Sequence, residues 1–115
     1  MIDTNVNDNL LSIDGNTVRF DTDIFEVEEF DDFAVVLLEW VDNDSSDRTR
    51  NVYAIDSDGS VRWKIDECPD VVGGKHSAYG GLHVMDGELW ATTVVGISYR
   101  IDTNTGEVLE KRIVK

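Results

Sequence analysis

Residues 66–81 bring the one cysteine of this chain, one of its two histidines and several other reactive side chains into one run. Asp66, Glu67, Cys68, Asp70, Lys75, His76, Ser77 and Tyr79 lie within it, and His83 comes two residues after it. Cys68, Asp70, His76 and His83 are metal-ligand types, but such sites want pairs about two to four residues apart. The spacing here is wider and irregular, so no metal is assigned. His76 and Ser77 beside Lys75 suggest nucleophilic chemistry, yet chain neighbours rarely face each other and no third orienting group is visible. No catalytic residue is assigned either. Asp56-Ser57-Asp58-Gly59 opens like a calcium loop with Glu67 in twelfth place. The residues between read as a strand and no helices flank them, so a hairpin turn is the better reading. What remains is binding: Cys68, His76, Ser77, Tyr79 and His83 are the candidate ligand- or partner-contacting residues. The competing reading makes 66–81 a crossover, long because it changes sheets.

The elements that must position this run are legible in a repeated phrase. Tyr53-Ala54-Ile55-Asp56, then Gly59 and Val61, returns as Tyr99-Arg100-Ile101-Asp102, then Gly106 and Val108. Each copy is a strand, an Asp/Gly turn and a returning strand. A self-similar hairpin at a fixed spacing marks a repeat architecture. Tyr53 and Ile55 share one face, as do Tyr99 and Ile101. Asp56 and Asp102 can bond turn amides, and Gly59 and Gly106 can supply the positive φ that closes the turn.

Alternation extends the reading to the whole chain. Residues 33–41 are apolar on both parities until Glu39, which predicts a central strand covered on both faces. In residues 60–65, Val61, Trp63 and Ile65 should point one way and Arg62 and Lys64 the other, as in a half-exposed outer strand. Asp86-Gly87 between strands predicts a type I′ turn. Trp40, Trp63 and Trp90 are expected in packing roles, and residues 42–47 as a solvated loop tip. No segment has a helical period. The expected fold is one all-β domain: an N-terminal hairpin (1–22), a four-stranded antiparallel meander (24–66), a crossover loop (67–81) and a second meander (82–115). They should pack as a sandwich or open barrel.

The phrase of an aromatic, an apolar residue, Asp, Gly and Trp (Tyr53, Ile55, Asp56, Gly59 and Trp63) resembles the blade repeats of quinoprotein-type β-propellers. Each meander is similar to one blade, although the second copy has Leu109 or Glu110 where the Trp would stand. Closed propellers need about four to eight blades. Two cannot enclose a quinone-type cofactor, so the resemblance implies fold, with no cofactor and no site residue. The chain also resembles a family of short prokaryotic proteins with the same strand grammar, from which no activity is carried over.

Composition bounds the function. The 115 residues fit one domain, and 41% hydrophobic content suits a globular chain. One cysteine allows no internal disulfide and suggests a reducing compartment. Residues 1–5 carry no Lys or Arg and start no apolar run, unlike a signal peptide, so a cytoplasmic location is expected. The longest apolar stretch is too short for a membrane helix. Twenty-four acids against ten bases give a net charge of −14, and no basic patch is present to neutralise nucleic-acid phosphates. Abundant Asp with scarce Lys resembles the proteins of salt-loving archaea. At ~1 M salt the Debye length is about 3 Å, so clustered carboxylates cease to repel. The alternative is an acidic face aimed at a basic partner. The expected function is a non-catalytic binding or protein-interaction module of a halophilic cytosol, with a protein partner or a homodimer. The alternative is a small enzyme or small-molecule binder with a pocket under 66–81.

Overall fold

The computed structural model describes residues 2–39, 49–69, 71–72 and 75–113; Trp40, the 42–47 tip and Asp70 lie outside them. Every described element is a β-strand. The N-terminal sheet has three strands, β1 (Thr4–Asn7), β2 (Leu10–Ile13) and β3 (Asn16–Arg19). The expected hairpin therefore gains a strand in front. Val6 is the one large apolar residue of β1, too little for an alternation signal, and the strand is held by its ladder with β2. The second sheet runs β4 (Ile24–Glu29), β5 (Phe33–Leu38), β6 (Val52–Asp56) and β7 (Val61–Lys64). A short ladder of β8 (Val71–Val72) and β9 (Lys75–His76) occupies part of the expected crossover loop. The last sheet is β10 (Tyr79–Met85), β11 (Glu88–Thr93), β12 (Ile97–Ile101) and β13 (Val108–Ile113). Both four-stranded sheets are antiparallel meanders, and among the described residues no sheet closes into a barrel.

Strand β5 fixes the layering. All six of its side chains are buried. Phe33, Val35 and Leu37 join a core with Trp63 and Ile65 of their own meander and with Leu82, Leu89 and Tyr99 of the last sheet. Ala34, Val36 and Leu38 join a second core with Leu11, Ile13 and Phe20 of the N-terminal sheet. The β4–β7 sheet is thus the middle of three layers. Burying each large aliphatic side chain contributes about 1.5–3 kcal/mol, which is why a strand apolar on both parities goes here. Edge strand β4 carries Glu26, Glu28 and Glu29, and Asp21, Asp23, Asp31 and Asp32 flank it; charge of this kind discourages edge-to-edge pairing.

The two repeated hairpins share an irregularity that alternation does not show. Ala54 faces Trp63, but Ile55 faces Val61, so Arg62 is the extra residue of a bulge. Arg100 likewise faces Glu110 while Ile101 faces Val108, leaving Leu109 as the extra residue. A bulge breaks the alternation, so side chains on its two sides no longer keep the same parity. Val61 is therefore 55% exposed instead of lying beside Trp63 and Ile65. The turns also differ from expectation in one detail. Asp102 accepts a hydrogen bond from the Asn104 amide at 2.8 Å. In the first copy Asp58 does this work, accepting from Ser60 N at 2.9 Å, because Asp56 is taken by Arg62 Nε at 2.7 Å. Gly59 and Gly106 adopt φ of 88° and 79° as expected, and Asp86-Gly87 has the two positive φ values, 53° and 77°, of a type I′ turn.

Each repeated turn sits on the layer before it. A Cβ at Gly59 would lie 3.1 Å from Asn16 Cβ, and one at Gly106 would lie 2.7 Å from Trp63 Cε3. Asn16 Nδ2 donates to the Ser57 carbonyl at 3.0 Å, and Trp63 Nε1 donates to the Thr103 carbonyl at 2.8 Å. The registers make Ala54 and Trp63 of the middle layer equivalent to Arg100 and Glu110 of the last. At these positions the face is apolar where another sheet covers it and charged where none of the described sheets does.

Candidate functional site

The residues proposed for binding divide between two places. Asn51 explains why. It is 4% exposed. Its Nδ2 donates to the Leu38 carbonyl at 2.9 Å and to the Tyr79 carbonyl at 2.8 Å, and its Oδ1 accepts from the Tyr79 amide at 2.9 Å. One amide side chain therefore pins the start of β10 to the middle sheet, and the last sheet begins at Tyr79 instead of Leu82. A register shift between Tyr79 and Gly81 absorbs the Gly-Gly pair that reads as loop in the sequence.

Cys68 and Tyr79 consequently face the core. Cys68 is 1% exposed, with Sγ 3.2 Å from the Tyr99 hydroxyl. The rings of Tyr79 and Tyr99 meet edge-on at 6.4 Å, and the Tyr79 hydroxyl donates to the Asp66 carbonyl at 2.9 Å. Ser77 is half-buried, and the side chain of His76 lies outside the described residues. His83 is exposed, while its neighbour Leu82 points into the core. Tyr79 and His83 are thus on opposite faces of one sheet, and the structure does not bring them together. Among the described residues, no group of three or more His, Cys, Asp or Glu side chains is placed to hold a metal ion.

Burial pushes the Tyr79 hydroxyl well above the ordinary tyrosine range, reinforced by Cys68 and Asp66 nearby. The consequence has a definite sign. Above about pH 10 the unfolded chain releases this proton and the folded chain keeps it, so stability falls as pH rises. Urea midpoints taken from pH 8 to pH 11 should drop, and more shallowly in Tyr79→Phe. That variant should begin about 1 kcal/mol lower at pH 8 for its lost hydrogen bond. Parallel pH profiles for the two proteins would count against the buried, protonated phenol.

The open surface lies along β13, the last strand of its sheet. A cleft of about 250 Å³ is lined by Pro69, Tyr99, Val108, Leu109, Glu110 and Lys111. A second, of about 200 Å³, includes Arg100, Asp102, Thr103 and again Leu109. Leu109, the bulge residue, is 47% exposed between them. In the sequence Leu109 stands only as a missing Trp. Its exposure comes from the bulge, which has no periodic signature.

The whole described chain, from Ile2 to Ile113, falls within a match over residues 1–113 to the family described as Domain of unknown function (DUF7957). The chain belongs to the DUF7957 family. No curated protein matches it. Among solved structures, this DUF7957 domain is similar to the computationally designed Ika8 protein, with a TM-score of 0.61 at 12% identity. The likeness covers 96% of this chain and 32% of the designed one, so the chain spans about a third of that protein's length. At such identity the likeness is one of fold. No described helix of the DUF7957 domain is long and apolar enough to cross a membrane.

Proposed function

We propose that this DUF7957 domain is a non-catalytic protein-interaction module of a salt-rich cytosol, built from two propeller-blade-like sheets. Its docking surface is the edge of β13 together with the cleft beside Pro69. The observation that carries this reading is the combination found there. An outermost strand, a bulge that turns Leu109 outward, and a cleft joining Pro69 to that strand lie side by side. An edge strand offers main-chain hydrogen bonds to an added strand, and the pockets beside it select side chains. The occupant is a protein partner or a second copy of the chain. The enzyme alternative draws less support, because Cys68 and Tyr79 are packed inside while His83 lies on the far face.

The test is affinity capture from host lysate in molar salt, with light scattering of the purified chain alongside. The expected result is a stoichiometric partner, or a dimer, lost on Leu109→Asp. A monomer that captures nothing, with a melting temperature raised by a metabolite, would move the reading to small-molecule binding. The net charge of −14 supports the salt-rich setting through self-repulsion at low ionic strength. The melting temperature should therefore rise markedly between ~0.05 M and ~2 M salt, as the Debye length shrinks below carboxylate spacings. A flat profile in a calorimeter would remove the halophilic part of this proposal.

A further inference from the structure

We infer that the outer face of the C-terminal sheet carries a binding site for a small oxyanion, centred on Trp90 and Arg112. This site lies on the outer face of the sheet and shares strand β13 with the docking edge through Arg112, but it does not rest on the docking proposal. Trp90 and Thr92 project from β11 away from the core, because Leu89 and Ala91 take the inner positions. An outward tryptophan would ordinarily be half-exposed, yet Trp90 is 4% exposed. The Arg112 guanidinium lies over its ring, 5.1 Å from the centroid. His83 lies parallel to the ring at 6.3 Å.

Two features of this cluster are unexplained by folding alone. The first is the Trp90 indole N–H. It is buried and has no hydrogen-bond partner, a condition that native interiors rarely leave in place. An N–H is a donor only, so what is missing is an acceptor. The second is the charge on Arg112. Arg100 on the same face is held by Glu88 at 3.5 Å and Glu110 at 3.0 Å. Arg112 makes no ion pair among the described residues, which it shares with Arg19, Arg50 and Lys64, but it alone of these lies over the ring of a buried tryptophan. A buried donor left without an acceptor, with an exposed guanidinium lying over the same ring, points to an anion as the missing group.

That ligand is an anion with at least two oxygens, one for the guanidinium and one for the indole N–H. Arginine binds such groups through paired donors while its plane stacks on an aromatic ring. The pair of hydroxyls on Thr92 and Ser98, bonded to each other, has one O–H left to donate. Glu88 and Glu110 beside the site, and the net charge of the chain, select against polyanions such as nucleic acid. A carboxylate and a phosphate share this chemistry.

The test tracks the indole N–H resonances by NMR while inorganic phosphate, or acetate in a parallel series, is titrated in against chloride at constant ionic strength. One indole resonance should shift saturably, and Trp90→Phe should delete it. Arg112→Gln, at an exposed position, should weaken the binding at least tenfold. Saturation by phosphate alone, or by acetate alone, names the anion. The inference is overturned if the Trp90 resonance does not respond, if it responds equally to chloride, or if Arg112→Gln binds as the unaltered chain does. Should Trp90→Phe not fold, the Arg112→Gln comparison decides by itself.

Discussion

Gly106→Ala should lower the stability of the domain by about 3 kcal/mol. Two costs combine. A left-handed conformation penalises any L side chain by about 1–2 kcal/mol, and Gly106 has φ of 79°. Forcing an extra carbon into a packed interior adds about 1–3 kcal/mol. Here that carbon would stand 2.7 Å and 2.9 Å from two indole carbons of Trp63 and 3.1 Å from the Lys64 carbonyl oxygen. The indole cannot retreat without surrendering its hydrogen bond to Thr103. Gly15→Ala separates the two costs, since Gly15 has φ of 84° with nothing within 4 Å of the added carbon. It should lose only about 1 kcal/mol, the backbone part. Urea denaturation of the two variants side by side checks both. Equal losses would show that the turn does not bear on the tryptophan.

Asn51→Ala should be nearly as costly, at about 3 kcal/mol, although it removes no apolar packing of note. The substitution strips a partner from the Tyr79 amide, the Tyr79 carbonyl and the Leu38 carbonyl in a site closed to water. Each buried polar group so orphaned costs about 1–3 kcal/mol, and partial rearrangement recovers some of the sum. Asn51→Asp is the sharper variant. It keeps the acceptor for the Tyr79 amide but sets a carboxylate against two carbonyl oxygens, so it should do no better than alanine. Hydrogen exchange gives a local readout: the Tyr79 amide should lose protection in Asn51→Ala, which removes its acceptor. Unchanged exchange at Tyr79 would mean that the last sheet is joined to the middle one by apolar contact alone.

These two residues also mark where the sequence can and cannot be read. Strand β5 is plain because burial on both faces requires apolar residues on both parities, and residues 33–38 satisfy that without exception. The paired Asp/Gly turns are plain because positive φ is a local demand that glycine answers. Asn51 is invisible. Its partners, Leu38 and Tyr79, come from distant parts of the chain, and nothing local distinguishes it from a loop asparagine. The bulges at Arg62 and Leu109 are invisible for a related reason. Whether an extra residue is absorbed depends on the partner strand, so alternation alone puts Val61 on the wrong face and leaves the exposure of Leu109 unseen. Of the candidate site, the types are legible and the placement is not. Cys68 and Tyr79 look reactive in one dimension, and the Gly80-Gly81 pair that suggests a loop belongs to a strand that turns them inward.

The substitution of a carboxylate for an indole between equivalent hairpins makes the outer face of the last sheet chemically unlike that of the middle one. Gly106 rests on Trp63, whereas the matching place in the final hairpin is Glu110. A further tandem duplicate would bring its glycine turn against an acid already engaged with Arg100 and would find no ring to lie on. A turn that docks as Gly106 does would therefore need an aromatic residue at that position.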